Sequence, residues 1–135
     1  PTETSKGHTA MNDARKKTRF LSELSCAFGA TPDTPRSGTV TSIGLRECFV
    51  KTKAIVIEGQ SLHVRVWTPE NRWLRLTGRV KYHMERVGFG VVFQELSEDQ
   101  LGDLSRLVEQ LRRRHLLQQR EDAAADDPAD VTNVN

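Results

Sequence analysis

Residues 77–111, TGRVKYHMERVGFGVVFQELSEDQLGDLSRLVEQL, decide the fold because the hydrophobic period changes within them. The first half alternates apolar and polar residues, which is typical of β-strands with one side facing solvent. From Ser97 onward, apolar residues recur at helical spacing. That stripe comprises Leu101, Leu104, Val108 and Leu111, with Leu107 beside it. The stretch therefore predicts strands followed by an amphipathic helix.

The predicted helix has a recognisable start. Ser97 and Gln100 have the spacing of a capping box, in which each side chain bonds the other residue's backbone N–H. About 20 residues at 1.5 Å each give a rod of roughly 30 Å, long enough to cross one face of a small barrel. Leu116 and Leu117 lie beyond that face. We expect these leucines to contact a partner protein or a second copy of the chain.

Short segments with a period of two lie both upstream of residue 77 and within residues 77–93. The predicted strands are FLSELSCAF (20–28), CFVKT (48–52), SLHVRVW (61–67), RWLRLTGRVKYH (72–83) and GFGVVF (88–93). Turn-forming residues separate them, in ATPDTPRSG (30–38), IEGQ (57–60), TPEN (68–71) and MERVG (84–88). Five short strands at this spacing predict a mainly β domain, a small antiparallel barrel or sandwich, closed by the helix.

The composition divides the chain into three parts. Residues 1–14 are polar and predict a disordered leader, residues 15–118 form the predicted domain, and residues 119–135 predict an acidic disordered tail. Cys26 and Cys48 lie in apolar runs without metal-ligand spacing, which favours buried thiols in a reducing compartment. No apolar run approaches the ~20 residues that span a bilayer. We expect a cytoplasmic protein.

The charge distribution favours an anionic partner. The chain has 20 Lys or Arg and 18 Asp or Glu, and five of the carboxylates lie in residues 121–135, so residues 1–120 carry +7. The run RKKTR, residues 15–19, concentrates four positive charges where the domain begins. Such a run is either a solvated face or a site for phosphate, which the planar fork of arginine matches well.

Together these motifs resemble the PilZ domain family of bacterial cyclic di-GMP receptors. Residues 77–111 are similar to the family's Gly-Arg-Val strand, turn, Gly-x-Gly-Val-x-Phe strand and Leu-Ser helix start, and the likeness covers about residues 15–115. Arg15 and Arg19 match the two arginines of its R-x-x-x-R motif. The resemblance implies a PilZ-like split β-barrel, and cyclic di-GMP as ligand, as a monomer or an intercalated dimer.

The family's second motif, Asp or Asn, any residue, Ser, two residues, then Gly, is altered here. Spacing to the loop glycine Gly59 places Ser42, Gly44 and Glu47 at its three positions, within SIGLRE, and all three differ from the pattern. A second frame, TVTSIG, uses Thr39, Thr41 and Gly44 but spoils that spacing. We prefer the first frame and predict Arg15, Arg19, Ser42, Gly44 and Glu47 as the ligand-binding positions.

The chemistry of guanine explains what the altered motif changes. Arginine can bind guanine O6 and N7, bridge to a phosphate, or stack on the base. Ser42 can accept from the opposite guanine edge only weakly, and Gly44 offers no hydroxyl. Glu47 adds a negative charge, and pairing with an arginine of RKKTR would make it compete with phosphate. Two functions remain open: a cyclic di-GMP receptor that signals to an unidentified downstream protein, and a ligand-free PilZ-like interaction module.

Other functions receive less support from the sequence. The four histidines lack metal-ligand spacing, no Ser lies in a G-x-S-x-G elbow, and no glycine-rich loop opens a helix. Trp67 and Trp73 bracket a turn without forming a ladder of aromatic residues for single-stranded nucleic acid. The pattern predicts a binding protein that is not an enzyme, without a metal or nucleic-acid site, and with a homodimer through the C-terminal helix as one form of contact.

Overall fold

The computed structural model describes the backbone of residues 19–131 and the side chains of residues 19–120. In chain order the elements are β1 Arg19–Gly29, β2 Arg36–Gly44, β3 Glu47–Lys51, β4 Ser61–Trp67, β5 Trp73–Met84, β6 Gly88–Phe93 and the helix α1 Glu98–Val131. All strand pairs are antiparallel, and the strands close into a barrel in the order β1-β2-β3-β6-β5-β4. The predicted mainly β barrel with a C-terminal helix is confirmed.

The barrel interior is filled by the apolar side chains that the period of two identified. On β4, for example, Leu62, Val64 and Val66 are at most 2% exposed. Phe28 of β1 and Phe89 of β6 meet edge to face in the middle of this core, with ring centroids 5.0 Å apart. Such pairing of aromatic edges and faces stabilises a core beyond the area that it buries.

Strand β2 is the element that the sequence does not predict. Its first residues, Arg36 to Gly38, fall in the segment assigned to a turn, and its outward positions carry Thr39 and Thr41. The strand forms because β1 and β3 pair with it on both sides and satisfy its backbone groups. Pairing with β1 and β3 therefore overrides a weak local preference for strand structure.

Helix α1 begins as predicted and packs along one stripe. The Ser97 hydroxyl accepts a bond from the Gln100 N–H at 3.1 Å, and the Ser97 N–H donates to Gln100 Oε1 at 2.7 Å, which confirms the capping box. The buried stripe is Leu104, Leu107, Val108 and Leu111. Leu101 was predicted in this stripe, but it is 46% exposed, so that assignment is wrong. At 3.6 residues per turn Leu101 lies about 70° from the stripe's centre, beyond the area that the barrel covers.

Polar contacts fix the helix against the barrel. The Gln100 side-chain amide donates to the carbonyl oxygen of Arg75 on β5 at 2.8 Å. Asp103 of α1 pairs with Arg72, which precedes β5, at 3.1 Å, and also with Arg106 on its own helix. These contacts hold the start of α1 beside β5 and the β4–β5 turn, while the leucine stripe covers the barrel.

The far part of α1 extends beyond the barrel. Leu116 and Leu117 are 44% and 56% exposed. The helix continues through Val131, into the segment predicted as a tail, where three consecutive alanines favour helical backbone. Within the described part of the chain, no helix combines the length and the hydrophobicity that a bilayer crossing requires.

Candidate ligand-binding site

The start of β1 and the β2–β3 turn form one end of the candidate site. Arg19, the first residue of β1, is exposed and lies opposite Gly44, the last residue of β2. Leu45 and Arg46 make the turn, and Glu47 begins β3. The antiparallel register therefore brings the second arginine of the predicted R-x-x-x-R pair beside the second predicted motif. Arg15, the first arginine of that pair, lies outside the described residues.

Ser42 lies two residues before the end of β2, where the strand is irregular. It pairs with Leu21 of β1 on one side and with Phe49 of β3 on the other. A register shift between Val40 and Ser42 accompanies partial exposure of both Thr41 and Ser42. Ser42 therefore lies at the same end of β2 as Gly44.

Glu47 forms an ion pair with a residue of β5, across the intervening strand β6. Its Oε1 lies 3.5 Å from the Lys81 Nζ of β5, and the Glu47 side chain is only 15% exposed. Among the described side chains, Lys81 rather than an arginine of the RKKTR run is its ion-pair partner. The carboxylate is therefore partly neutralised before any ligand arrives.

An aromatic pair, Phe49 and Tyr82, lies beside this ion pair. Their rings are stacked with centroids 6.2 Å apart and an interplanar angle of 30°. Phe49 and Tyr82 lie on either side of β6, and both pair with Gly90 of that strand. A Cβ added at Gly90 would lie 2.6 Å from the Tyr82 ring. The sequence did not identify these two residues as part of a site. The glycine spacing in GFGVVF is the feature that could have done so, because a strand glycine often marks a close approach of another group.

The alternative motif frame points to a different part of the same face. Thr39 and Thr41 lie further along β2 and line a surface groove with Lys51 and Lys53, away from the β2–β3 turn. Ser42, Gly44 and Glu47 do not line that groove. Two residues of the second frame, Thr39 and Thr41, therefore line a separate groove, whereas Gly44, which both frames share, lies opposite Arg19.

The cysteines and histidines of the described residues are arranged differently from a catalytic or metal site. Burial raises the pKa of the Cys26 thiol to about 12 and raises the pKa of Cys48 as well. Neither thiol is therefore an activated nucleophile, because the reactive form is the thiolate. Among the described residues, no three His, Cys, Asp or Glu side chains come together as metal ligands. His8 lies outside the described residues.

The tryptophans occupy a separate part of the barrel. Trp67 of β4 and Trp73 of β5 face each other across the turn, with ring centroids 5.1 Å apart at 70°. The Arg65 guanidinium lies 4.5 Å from the centre of the Trp73 ring, which it covers. The two rings contact each other edge to face, and no third described aromatic ring extends the pair. This cluster does not form a stacking platform for successive bases.

Comparison with solved structures identifies the architecture. The chain is similar to the Bacillus subtilis inhibitor of motility MotI/DgrA, with TM-score 0.59, 16% identity, and coverage of 73% of this chain and 49% of that one. It is also similar to the PilZ domain of CeSA from a cellulose-synthesizing bacterium, with TM-score 0.58, 16% identity, and coverage of 71% and 99%. The PilZ domain of Escherichia coli YcgR, solved with c-di-GMP, gives TM-score 0.57, 14% identity, and coverage of 79% and 95%.

These similarities establish a PilZ-like fold. The chain spans about half the length of MotI/DgrA and nearly all of the two isolated PilZ domains. No protein-family model matches the sequence, and no curated protein matches it. The fold predicted from residues 77–111 and the RKKTR run is thus confirmed by structure, at low sequence identity.

Proposed function

We propose that this chain is a cytoplasmic PilZ-type receptor that binds cyclic di-GMP and passes the signal to a partner protein. The observation that carries the proposal is the pairing of Arg19 with Gly44, which puts an exposed guanidinium beside the β2–β3 turn. Arg15 is proposed as the second guanidinium. Ser42, Gly44 and Glu47 are proposed as the floor of the site.

The chemistry of this end of the barrel suits a doubly anionic dinucleotide. An exposed arginine can bind a phosphate bidentately or stack on guanine, and a hydrogen bond to a charged group contributes roughly 1.5–3 kcal/mol. Ser42, which is partly exposed, supplies a hydroxyl. Phe49 and Tyr82 add an aromatic surface on the same face. Lys81 offsets the Glu47 charge, so phosphate meets less repulsion than the sequence alone indicates.

A contact between β1 and α1 supports the proposal that ligand binding at β1 affects the surface of α1 that a partner protein would contact. Phe20 follows Arg19 in β1, and its ring lies 6.0 Å from the ring of His115 in α1, centroid to centroid. His115 precedes the exposed Leu116 and Leu117. A ligand that shifts the start of β1 would therefore act on the part of α1 that is available for protein contact.

The alternative function is a ligand-free interaction module with the same fold. The exposed leucines line a groove of about 550 Å³ on α1, together with Arg113, Gln119 and Arg120. This surface suits contact with another protein, including a second copy of the chain in a homodimer.

Sedimentation of the wild type and of a Leu116→Glu/Leu117→Glu variant tests the homodimer. Self-association that the variant loses supports it, and a monomeric wild type at all concentrations rejects it.

Calorimetric titration with cyclic di-GMP tests the receptor function. We expect the wild type to bind and Arg19→Ala to lose at least tenfold in affinity, because one charged hydrogen bond is removed. Arg75→Ala is the matched control, since it removes an exposed arginine of β5 that lies opposite Arg65, and Arg65 pairs with the far part of β1 at Ala27. Absence of binding in the wild type would leave the interaction module as the function.

A further inference from the structure

We propose that a second, phosphate-binding site lies beside the candidate cyclic di-GMP site, in a groove on the outer face of β1, β2 and β3. We name it the basic groove. Its lining residues are Glu23, Ser25, Thr39, Thr41, Lys51, Thr52, Lys53, Arg86 and Val87, and its volume is about 440 Å³. This volume lies within the range of small-molecule sites. The proposal goes beyond the proposed function and does not depend on it.

Three cationic side chains converge on the basic groove from two parts of the chain. Lys51 ends β3, Lys53 follows it, and Arg86 comes from the turn between β5 and β6. The Thr52 N–H donates to the Val87 carbonyl oxygen at 3.1 Å, which fixes the two segments side by side. Cations that are distant in sequence are thus held at one place by the backbone.

These three cations are available to a ligand. Among the described residues, none of Lys51, Lys53 and Arg86 forms an ion pair. Hydroxyl groups of Ser25, Thr39 and Thr41 line the same groove and can donate to an anion. A phosphate accepts several bonds at once, and both arginine and lysine bind it. The lining therefore fits phosphate better than it fits an apolar ligand.

Arg86 occupies a turn position whose backbone conformation suits glycine. Its φ is 66°, in the left-handed region, within the turn that the Val87 N–H closes by bonding the Met84 carbonyl oxygen at 2.9 Å. Glycine adopts this conformation without strain, whereas a side chain with a Cβ does not. Thr34, Asn71 and Glu95 have the same sign of φ, so what distinguishes Arg86 is its place in one groove with Lys51 and Lys53. The turn thus carries an arginine where a glycine would fold more easily.

Glu23 narrows the class of ligand. Its carboxylate is the one acidic group that lines the basic groove, so a bare phosphate would meet some repulsion there. A carboxylate accepts bonds from sugar hydroxyls and base amino groups. We therefore assign the basic groove to a soluble nucleotide whose phosphates contact the cations and whose sugar or base contacts Glu23.

Calorimetry with the full chain, using pyrophosphate and GDP as separate probes at about 0.15 M salt, tests the assignment. Both probes should bind the wild type, and Lys51→Ala and Arg86→Gly should each weaken both by about tenfold or more. Arg86→Gly should keep or raise the melting temperature, because it relieves the turn. Glu23→Gln should bind pyrophosphate more tightly and GDP more weakly than the wild type.

Three results would overturn the second site. They are absence of binding of both probes at millimolar concentration, equal affinity of the wild type and the two cation variants, and loss of pyrophosphate binding in Arg19→Ala. A further titration with cyclic di-GMP separates the two proposals. If Arg86→Gly loses the dinucleotide while Arg19→Ala retains it, the basic groove holds that ligand and the proposed receptor site is wrong.

Discussion

Arg19 of β1 lies directly opposite Gly44 of β2, so the basic start of the barrel and the β2–β3 turn are one place in the structure. The two residues are separated by a full hairpin in the sequence, and only the antiparallel register joins them. Gly44 is buried and Arg19 is exposed, so Arg19 is the member of this pair that can contact an anion from the solvent.

The ion pair between Glu47 and Lys81 predicts how the site responds to a change of charge. Replacing Glu47 with Gln keeps the size of the side chain, removes one negative charge and frees Lys81. We expect cyclic di-GMP affinity to rise by about three- to tenfold, or roughly 0.6–1.4 kcal/mol, measured by calorimetry. The gain should shrink as salt is added, since it is electrostatic.

Glu58→Gln is the control for this change, because Glu58 is an exposed carboxylate in the loop before β4. It should alter the affinity by less than about twofold at moderate salt. Equal gains in the two variants would mean that net charge, rather than the position of Glu47, determines the affinity.

Two glycines should respond in opposite ways to the same substitution. At Gly78 of β5 an added Cβ would lie 2.4 Å from the Val92 carbonyl oxygen, whereas at Gly102 of α1 nothing lies within 4 Å. We expect Gly78→Ala to lower the free energy of unfolding by about 1–3 kcal/mol, and Gly102→Ala to raise it by about 0.5–1 kcal/mol. Chemical denaturation of both variants measures these changes. If the Gly78→Ala variant were as stable as the wild type, that result would contradict the close approach of β5 and β6.

The buried cysteines predict a loss of stability in alkali. An unfolded cysteine titrates near its ordinary pKa of 9.0, whereas burial raises the pKa of Cys26 to about 12 and raises that of Cys48 further. Above pH 9 the unfolded chain releases thiol protons that the folded chain keeps. The free energy of unfolding should therefore fall as pH rises, by up to about 1.4 kcal/mol per pH unit for each thiol.

Denaturation of the wild type and of Cys26→Ala at several pH values isolates this effect, because lysines and tyrosines titrate in both proteins. The variant starts from a lower stability, since it loses buried volume. Its stability should decline less steeply between pH 9 and 11. Parallel declines in the two proteins would show that Cys26 is not shielded from solvent.

The fold could be predicted because its strongest patterns are local. The alternation in β4 and β5 and the helical stripe of α1 reflect burial against a single core, and Ser97 with Gln100 marks the helix start within four residues. Strand β2 could not be predicted in the same way. Its inward residues are separated by a register shift, and its outward residues are small and polar. Pairing with β1 on one side and β3 on the other stabilises it.

The site was harder to predict because its members come from distant strands. The pairing of Glu47 with Lys81 depends on β6 lying between β3 and β5, an order that the sequence does not state. The stacking of Phe49 on Tyr82 depends on the same order, and on the space that Gly90 leaves. Arg86 was assigned to a turn from its sequence, and only the structure places it beside Lys51 and Lys53.

The most direct test of the central claim is backbone NMR of the ¹⁵N-labelled full chain during addition of cyclic di-GMP. We predict that the largest shift changes fall on Arg19 and on residues 42–47, with smaller changes near His115. Arg19→Ala should remove these changes while the rest of the spectrum stays that of the folded barrel. Saturating ligand that leaves residues 42–47 unshifted, or that shifts only residues of the basic groove, would contradict the account.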